Sequence, residues 1–182
     1  MELRGYDIVL NRLSEETIEK VRQWRNSPEI RSTMFYQEEI TPEMQLNWFR
    51  KVDNDRNWYF IIRFRGEDVG VINIKDIDYE AGTGETGIFI HSQRYLGTDI
   101  AYRAHLVMFD FIFNTLGLTS TISHIRPENE KAIRFALFLG AELDESSSTE
   151  DVRSYIITAD GYMNNRNRQR FINKWNKLNP VK

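Results

Sequence analysis

The apolar positions of the chain recur with two periods, one typical of helices and one typical of strands. Ile18, Val21 and Trp24 share one face of a predicted helix. Thr41 and Pro42 mark the start of another, because a capping hydroxyl precedes a proline at the first helical position. Strands are predicted over residues 6–13, 58–64, 69–74, 85–91, 118–125 and 151–158. This alternation predicts a sheet with helices packed on it.

The second half of the chain has the clearest helix boundaries. The longest helix is predicted over residues 98–116 and ends at Gly117, and the next runs over residues 129–139 and ends at Gly140. An amphipathic helix is predicted near the end of the chain. The element order, β-α-α-α-β-β-β-α-β-α-β, predicts an α/β (α+β) fold in one domain, residues 1–182, with a central mixed sheet and helices on both faces.

Composition restricts the chemistry available to the chain. Of 182 residues, 41% are hydrophobic and 28% are charged, as in ordinary globular domains. The absence of cysteine excludes disulfides, thiolate metal sites and covalent cysteine catalysis. The three histidines, His91, His105 and His124, do not stand at ligand-like spacings, so we expect no metal cofactor.

Charge and hydropathy indicate the class of partner. No apolar run of about 18 residues occurs, and the N-terminal residues do not resemble a signal peptide, so we expect a cytoplasmic protein with no membrane partner. The net charge of −3 argues against a nucleic-acid partner. Residues 161–182 carry six basic residues and no acidic one, which indicates either a solvated helix face or a patch that attracts a phosphorylated ligand.

Two turns that precede helices contain residues suited to ligand binding. Gly97 lies in the turn before the longest helix, where N–H groups and the helix dipole favour a diphosphate. Many such turns carry a glycine only for its backbone freedom. Asn129 begins the next helix, where its side chain can cap the helix or bond a ligand. Neither turn identifies a function by itself.

Together, the two turns resemble the core motifs of the GNAT acyl-CoA N-acyltransferases. The resemblance covers essentially the whole chain and rests on three motifs: Arg94-x-x-Gly97 at a helix start, Asn129-x-x-Ala132-Ile133, and Leu139-Gly140. Residues 24–31 are similar to the branch that acylates ribosomal proteins and nucleotide-linked amino sugars. The run Met34-Phe35-Tyr36 is similar to the amino-sugar N-acetyltransferases of the pseudaminic acid pathway.

The resemblance implies the GNAT fold, with a mixed, mostly antiparallel sheet, and acetyl-CoA as co-substrate. It implies that one strand separates from its parallel neighbour and pairs with the pantetheine amides through the backbone of Ile88, Phe89 and Ile90. The pyrophosphate would be held by the backbone N–H groups of Tyr95, Leu96, Gly97, Thr98, Asp99 and Ile100. The residues implied beside the pantetheine arm are Asn129 and Phe135.

Acyl transfer to an amine requires a base, because an ammonium group is not a nucleophile. Glu85, at the start of the separating strand, is the candidate catalytic base, and an exposed strand-end acid is the alternative interpretation. His91 is a second candidate. Two residues depart from the family pattern: Asp99 places a like charge near the pyrophosphate, and Ala136 stands where the family often has a tyrosine acid.

The acceptor is predicted to bind near the first helices. Arg25 can pair with a phosphate and an aromatic side chain can stack on a base. The candidate substrate-binding residues are Arg25, Asn26, Met34, Phe35 and Tyr36. A packed helix end is the alternative interpretation of this segment. The sequence leaves open assembly into a homodimer.

Three functions are compatible with these residues. The first is acetylation of the amino group of a nucleotide-linked amino sugar. The second is acetylation of a protein N-terminus or a small amine. The third is a coenzyme A-binding module without turnover, which Asp99 and Ala136 would favour.

Overall fold

The structure is a computed structural model and describes residues 1–180, so Lys182 of the basic C-terminal stretch lies outside the described residues. The strands within this range are β1 (Glu2–Gly5), β2 (Ile8–Arg12), β3 (Trp58–Phe64), β4 (Glu67–Asp78), β5 (Thr83–Ile90), β6 (Ser120–Ile125), β7 (Glu142–Asp144) and β8 (Arg153–Thr158). The helices are α1 (Ile18–Asn26), α2 (Pro28–Arg31), α3 (Pro42–Val52), α4 (Ile100–Asp110), α5 (Glu130–Leu139), α6 (Ala159–Asn164) and α7 (Arg166–Leu178).

The described strands form one sheet in the order β1-β2-β3-β4-β5-β6-β8-β7. Every neighbouring pair is antiparallel except β5 and β6, which are parallel because α4 crosses over between them. The predicted mixed, mostly antiparallel sheet with helices on both faces is therefore confirmed. None of the helices within residues 1–180 is long and apolar enough to span a membrane.

The core lies on both faces of the sheet. On one face α4 buries Leu106 and Met108, neither of which has exposed surface, against the strands together with neighbouring buried residues. On the other face α1 and α3 pack over the sheet, with Val21 and Phe49 against Ile61. Successive strand residues point to opposite faces, so the residue parity along β4 and β5 decides which layer each side chain enters.

The largest difference from the predicted elements is at the N-terminus. The predicted strand over residues 6–13 is instead the second half of a hairpin, whose turn is Tyr6-Asp7 with φ values of 54° and 60°. Hairpin turns of this hand usually carry glycine at the second central position, and Tyr6-Asp7 lacks it, so no local signal predicts this turn. The helix predicted over residues 98–116 is also divided: α4 ends at Asp110 and continues as a π-helical turn over Phe111–Thr115.

Candidate functional site

The strands β5 and β6 separate soon after they meet. Within residues 1–180 their ladder consists of one register pair, Glu85 with Ile122, and the hydroxyls of Thr86 and Ser123 lie 2.9 Å apart beside it. Beyond this point the strands diverge, and a cavity of about 710 Å³ lies at the gap. A sheet interrupted in this way leaves backbone polar groups without sheet partners.

The alternation of backbone hydrogen bonds identifies which groups face the gap. The N–H of His91 donates to the carbonyl of Val69, and Val71 is paired with Phe89 two positions further along the ladder. In an antiparallel pair alternate residues bond the same neighbour, so the backbone of Phe89 is used by β4, whereas Ile88 and Ile90 face the gap. The structure therefore does not place the backbone of Phe89 where the sequence prediction put it.

The cavity has one half on each face of the sheet. The α4/α5 half is lined by Thr86, Ile88, His105, Phe109, Ala132, Phe135, Ala136 and Leu139, among others. The α1/α3 half is lined by Arg25, Gln45, Trp48, Tyr59, Asn73, Lys75, Glu85 and the side chain of Phe89, among others. The gap between β5 and β6 joins the two halves, so groups held on opposite faces can meet there.

The turn before α4 offers free N–H donors near its glycine. The N–H groups of Gly97, Asp99 and Ala101 make no hydrogen bond within residues 1–180. By contrast, the N–H groups of Tyr95, Leu96, Thr98 and Ile100 donate within the turn. Gly97 has φ +76°, which a glycine adopts without strain. Within the described part of the chain the turn therefore has two free donors, Gly97 and Asp99, instead of the predicted six, and the N–H groups of Ala101 and Tyr102 are free beyond it in the first turn of α4.

The side chain of Asp99 is turned towards a cation. Its carboxylate lies 2.8 Å from Arg103 one helical turn later, and Arg103 also lies 3.5 Å from Asp7. This ion pair neutralises part of the charge that Asp99 brings to the turn. The repulsion of a diphosphate expected from Asp99 is correspondingly smaller.

The start of α5 combines capping with exposure to the cavity. Asn129 accepts a hydrogen bond from the N–H of Ala132 through its side-chain oxygen, so the capping interpretation holds for that atom. The residue also lines the cavity together with Phe135. Ala136 lies on the cavity wall and brings no hydroxyl group.

His105 is a polar residue of the α4/α5 half that sequence reasoning missed. His105 is 5% exposed, and its imidazole ring makes edge-to-face contacts with the rings of Phe109 and Phe135. Burial lowers the pKa of His105 to about 4. Nδ1 lies 2.9 Å from the carbonyl of Ala101, which can only accept, so Nδ1 carries the hydrogen. Nε2 is therefore an acceptor, and it has no hydrogen-bond partner within residues 1–180.

The α1/α3 half contains the candidate base. Glu85 lies 2.8 Å from Lys75 and its side chain is 26% exposed. Burial acts to lower the pKa of Lys75, but the hydrogen bond and charge of Glu85, with Asp76, raise it above the ordinary value. Burial and the charges of Asp76 and Glu85 also raise the pKa of Tyr59. Glu85 is thus a paired carboxylate on the cavity wall, not an exposed strand-end acid.

The predicted substrate-binding residues divide into two groups. Arg25, Met34, Phe35 and Tyr36 line the cavity, and Phe35 and Tyr36 are about half exposed at its rim. Asn26 does not line it. Its side-chain amide donates one hydrogen bond to the carbonyl of Ile40 and accepts one from the N–H of Ile40. The amide therefore holds the segment before α3 in place.

Two other predicted features lie outside the cavity lining. His91 stacks on Trp24 with ring centroids 4.5 Å apart, and burial lowers its pKa. The basic C-terminal stretch lies largely on α7, where Arg168 packs on the ring of Tyr162 near Asp110. No described residue of α7 lines the cavity, so this stretch does not contribute to a ligand site there. Within residues 1–180 no cluster of metal-ligating side chains occurs.

Comparison with protein families gives one match. The sequence profile described as acetyltransferase (GNAT) domain matches residues 7–142 of the chain. Comparison with curated protein sequences gives no match.

Solved structures similar to the chain include three with nearly complete overlap. Spermidine N-acetyltransferase from Vibrio cholerae in complex with CoA and spermine has a TM-score of 0.77 and 19% identity, covering 88% of this chain and 100% of that one. A dodecameric structure of the Vibrio cholerae enzyme has a TM-score of 0.72 and 16% identity, covering 89% and 99%. A domain from Methanocaldococcus jannaschii has a TM-score of 0.73 and 19% identity, covering 83% and 97%. At these identities the similarity shows a shared fold.

Proposed function

The chain belongs to the GNAT acetyltransferase family, and we propose that it moves the acetyl group of acetyl-CoA to the primary amine of a small molecule. The observation that carries this proposal is the cavity, which joins both faces of the sheet at the gap between β5 and β6. A donor on one face and an acceptor on the other can be held in contact there, which lowers the entropic cost of the reaction.

The α4/α5 half suits acetyl-CoA, which supplies the acetyl group as a thioester. The backbone groups of Ile88 and Ile90 can pair with the amides of the pantetheine arm. The free N–H groups of Gly97, Asp99 and Ala101 can hold the pyrophosphate at the start of α4. These groups lack partners in the fold itself, as expected of groups that bind a ligand.

The α1/α3 half suits the amine. Glu85 can take a proton from the ammonium form, directly or through a water molecule, while Lys75 holds its carboxylate in place. The neutral amine then bonds to the acetyl carbon as the carbon–sulfur bond breaks, and the nitrogen loses its surplus proton to solvent. Ala136 has no hydroxyl with which to protonate the departing thiolate, so we expect solvent to supply that proton.

The similar structures support a small-amine acceptor better than a nucleotide-linked amino sugar, because the Vibrio cholerae protein is a spermidine acetyltransferase. The amino sugar is a second candidate, favoured by Arg25 and the aromatic rim formed by Phe35 and Tyr36. Its branch assignment, including the pseudaminic acid pathway, rests on residues 24–36 alone. Assembly into a homo-oligomer is a further part of the proposal, since a similar structure is dodecameric.

Release of the coenzyme A thiol tests the proposal directly. The chain has no cysteine, so a thiol reagent reports only the coenzyme. The assay would compare spermidine, a uridine-diphosphate amino sugar and a peptide amine against a sample without amine. Amine-dependent release is expected. Thermal stabilisation by acetyl-CoA with no release from any amine would indicate the coenzyme A-binding module instead.

A further inference from the structure

The α1/α3 half of the cavity contains a cation that the protein does not pair. Arg25 lies in the last turn of α1 and lines the cavity, and its guanidinium makes no hydrogen bond or ion pair within residues 1–180. The other cations on the cavity wall are paired: Lys75 with Glu85, and Arg126 with Glu128. Arg25 is therefore the cation of this wall that a ligand can engage.

Arg25 is partly buried, and an unpaired cation that loses part of its hydration is costly, so its retention needs a reason. Burial lowers the pKa of Arg25, which reflects the loss of water around the guanidinium. A guanidinium nevertheless stays charged in proteins, and it has only donors to offer. The group that satisfies both its charge and its planar donors is a carboxylate or a phosphate.

A second polar group in this half also lacks a partner. Gln45 of α3 is 4% exposed, lines the cavity, and its side-chain amide makes no hydrogen bond within residues 1–180. Helices α1 and α3 pack against each other on this face, so Gln45 and Arg25 belong to the same wall. Buried amides are normally satisfied, so an unpaired one beside a cavity is suited to a polar ligand.

This half of the cavity carries charges of both signs. The carboxylates of Asp76 and Glu85 raise the pKa of the Tyr59 hydroxyl, and the guanidinium of Arg25 acts on that pKa with the opposite sign. An amine is favoured beside Glu85 and disfavoured beside Arg25. A linear polyamine would bring a second cation towards Arg25.

We infer that the acceptor is a small amine that also carries a carboxylate or phosphate, which pairs with Arg25 and reaches Gln45 while the amine lies near Glu85. The inference rests on the proposed acetyltransferase function and specifies its substrate class. Nucleotide-linked amino sugars and amino acids both belong to this class.

Matched acceptors test it. 5-Aminopentanoate and 1,5-diaminopentane have the same carbon chain but differ in one terminal charge, and glucosamine 6-phosphate and glucosamine form a second pair. We expect kcat/KM for the anionic member of at least one pair to be higher by about tenfold or more, the scale of one charge-assisted hydrogen bond. Competition by pentanoate and by uridine diphosphate separates carboxylate recognition from phosphate recognition.

Variants locate the preference. Arg25→Gln should raise KM for the anionic acceptor by about tenfold and leave KM for acetyl-CoA unchanged. Arg50→Gln, which makes the same change at an exposed residue of α3, should have no effect. Equal or better use of the non-anionic member of both pairs by the wild-type protein would overturn the inference without needing any variant, while the proposed function would stand. Failure of every amine to release thiol would overturn the proposed function, and the inference with it.

Discussion

Glu85 and Lys75 face each other as register partners on β5 and β4, with Oε2 and Nζ 2.8 Å apart on the wall of the cavity. Glu85 is also the residue of β5 that pairs with Ile122 of β6. Because opposite charges on directly paired strand residues attract, Lys75 fixes the direction of the Glu85 carboxylate. Substituting Glu85 and Lys75 one at a time therefore separates the role of the carboxylate from that of the cation that orients it.

Glu85→Gln should lower kcat by about a hundredfold, the scale of general base catalysis, and most strongly near pH 6, where more of the amine is charged. Acetyl-CoA binding, measured by titration calorimetry, should not change. Lys75→Gln is the matched control: it keeps the carboxylate and should cost less activity. Full activity of Glu85→Gln from about pH 6 to about pH 9 would exclude Glu85 as the base.

Acetyl-CoA should raise the melting temperature, because a ligand that binds the native state alone stabilises it by about 2.7 kcal/mol at a hundred times its Kd. Gly97→Ala should weaken this effect. No atom lies within 4 Å of the added methyl group, so the substitution acts through the positive φ of 76°. The expected loss of stability without ligand is about 1 kcal/mol. An unchanged melting temperature at millimolar acetyl-CoA would contradict the coenzyme site.

Asp99→Asn should lower the Kd for coenzyme A modestly, because it removes a negative charge near the pyrophosphate and frees Arg103. The gain should shrink as salt is added, since screening weakens exposed charges. Asp7→Asn is the control, because Asp7 also lies near Arg103 but outside the turn. If both variants bind coenzyme A equally, the carboxylate of Asp99 does not face the phosphates.

His105 should make the fold sensitive to acid. Its pKa is about 4 in the folded protein and has an ordinary value of 6.5, so below pH 6.5 the unfolded chain takes up a proton that the folded protein does not. The free energy of unfolding is therefore highest above pH 6.5 as far as His105 is concerned. It falls by about 3 kcal/mol in total as the pH is lowered from 6.5 through 4. Urea denaturation of the wild type and His105→Asn, whose amide can still donate to Ala101, should show a smaller loss in the variant. Equal losses would contradict this account.

The elements with complete apolar faces were predictable from local patterns. The helix starts at Thr41 and Asn129 and the ends at Gly117 and Gly140 all depend on residues close in sequence. The hairpin at Tyr6 was missed because its turn carries no glycine. The short strand β7 pairs with β8 at the edge of the sheet, and its three residues give too few alternations to detect.

The site was less predictable because its groups meet only in the tertiary structure. His105 and Gln45 stand on apolar helix faces, where a polar residue is the one available signal, and neither was singled out. Asn26 was assigned to the acceptor, but its partner is the backbone of Ile40, fourteen residues away. The backbone of Phe89 was assigned to the gap, although residue parity along β5 directs it to β4.

The divergence of β5 and β6 also creates two strand edges inside the sheet. Exposed edges invite pairing with strands of other chains and so promote aggregation. Here the edge of β5 lies within a cavity whose walls include Met34 and residues of α5, and Arg126 donates a hydrogen bond to the carbonyl of Met34 beside it. A narrow ligand can reach this edge, whereas another polypeptide strand would first have to displace those walls. The unpaired backbone groups of this edge are thus accessible to small molecules but protected from pairing with other chains.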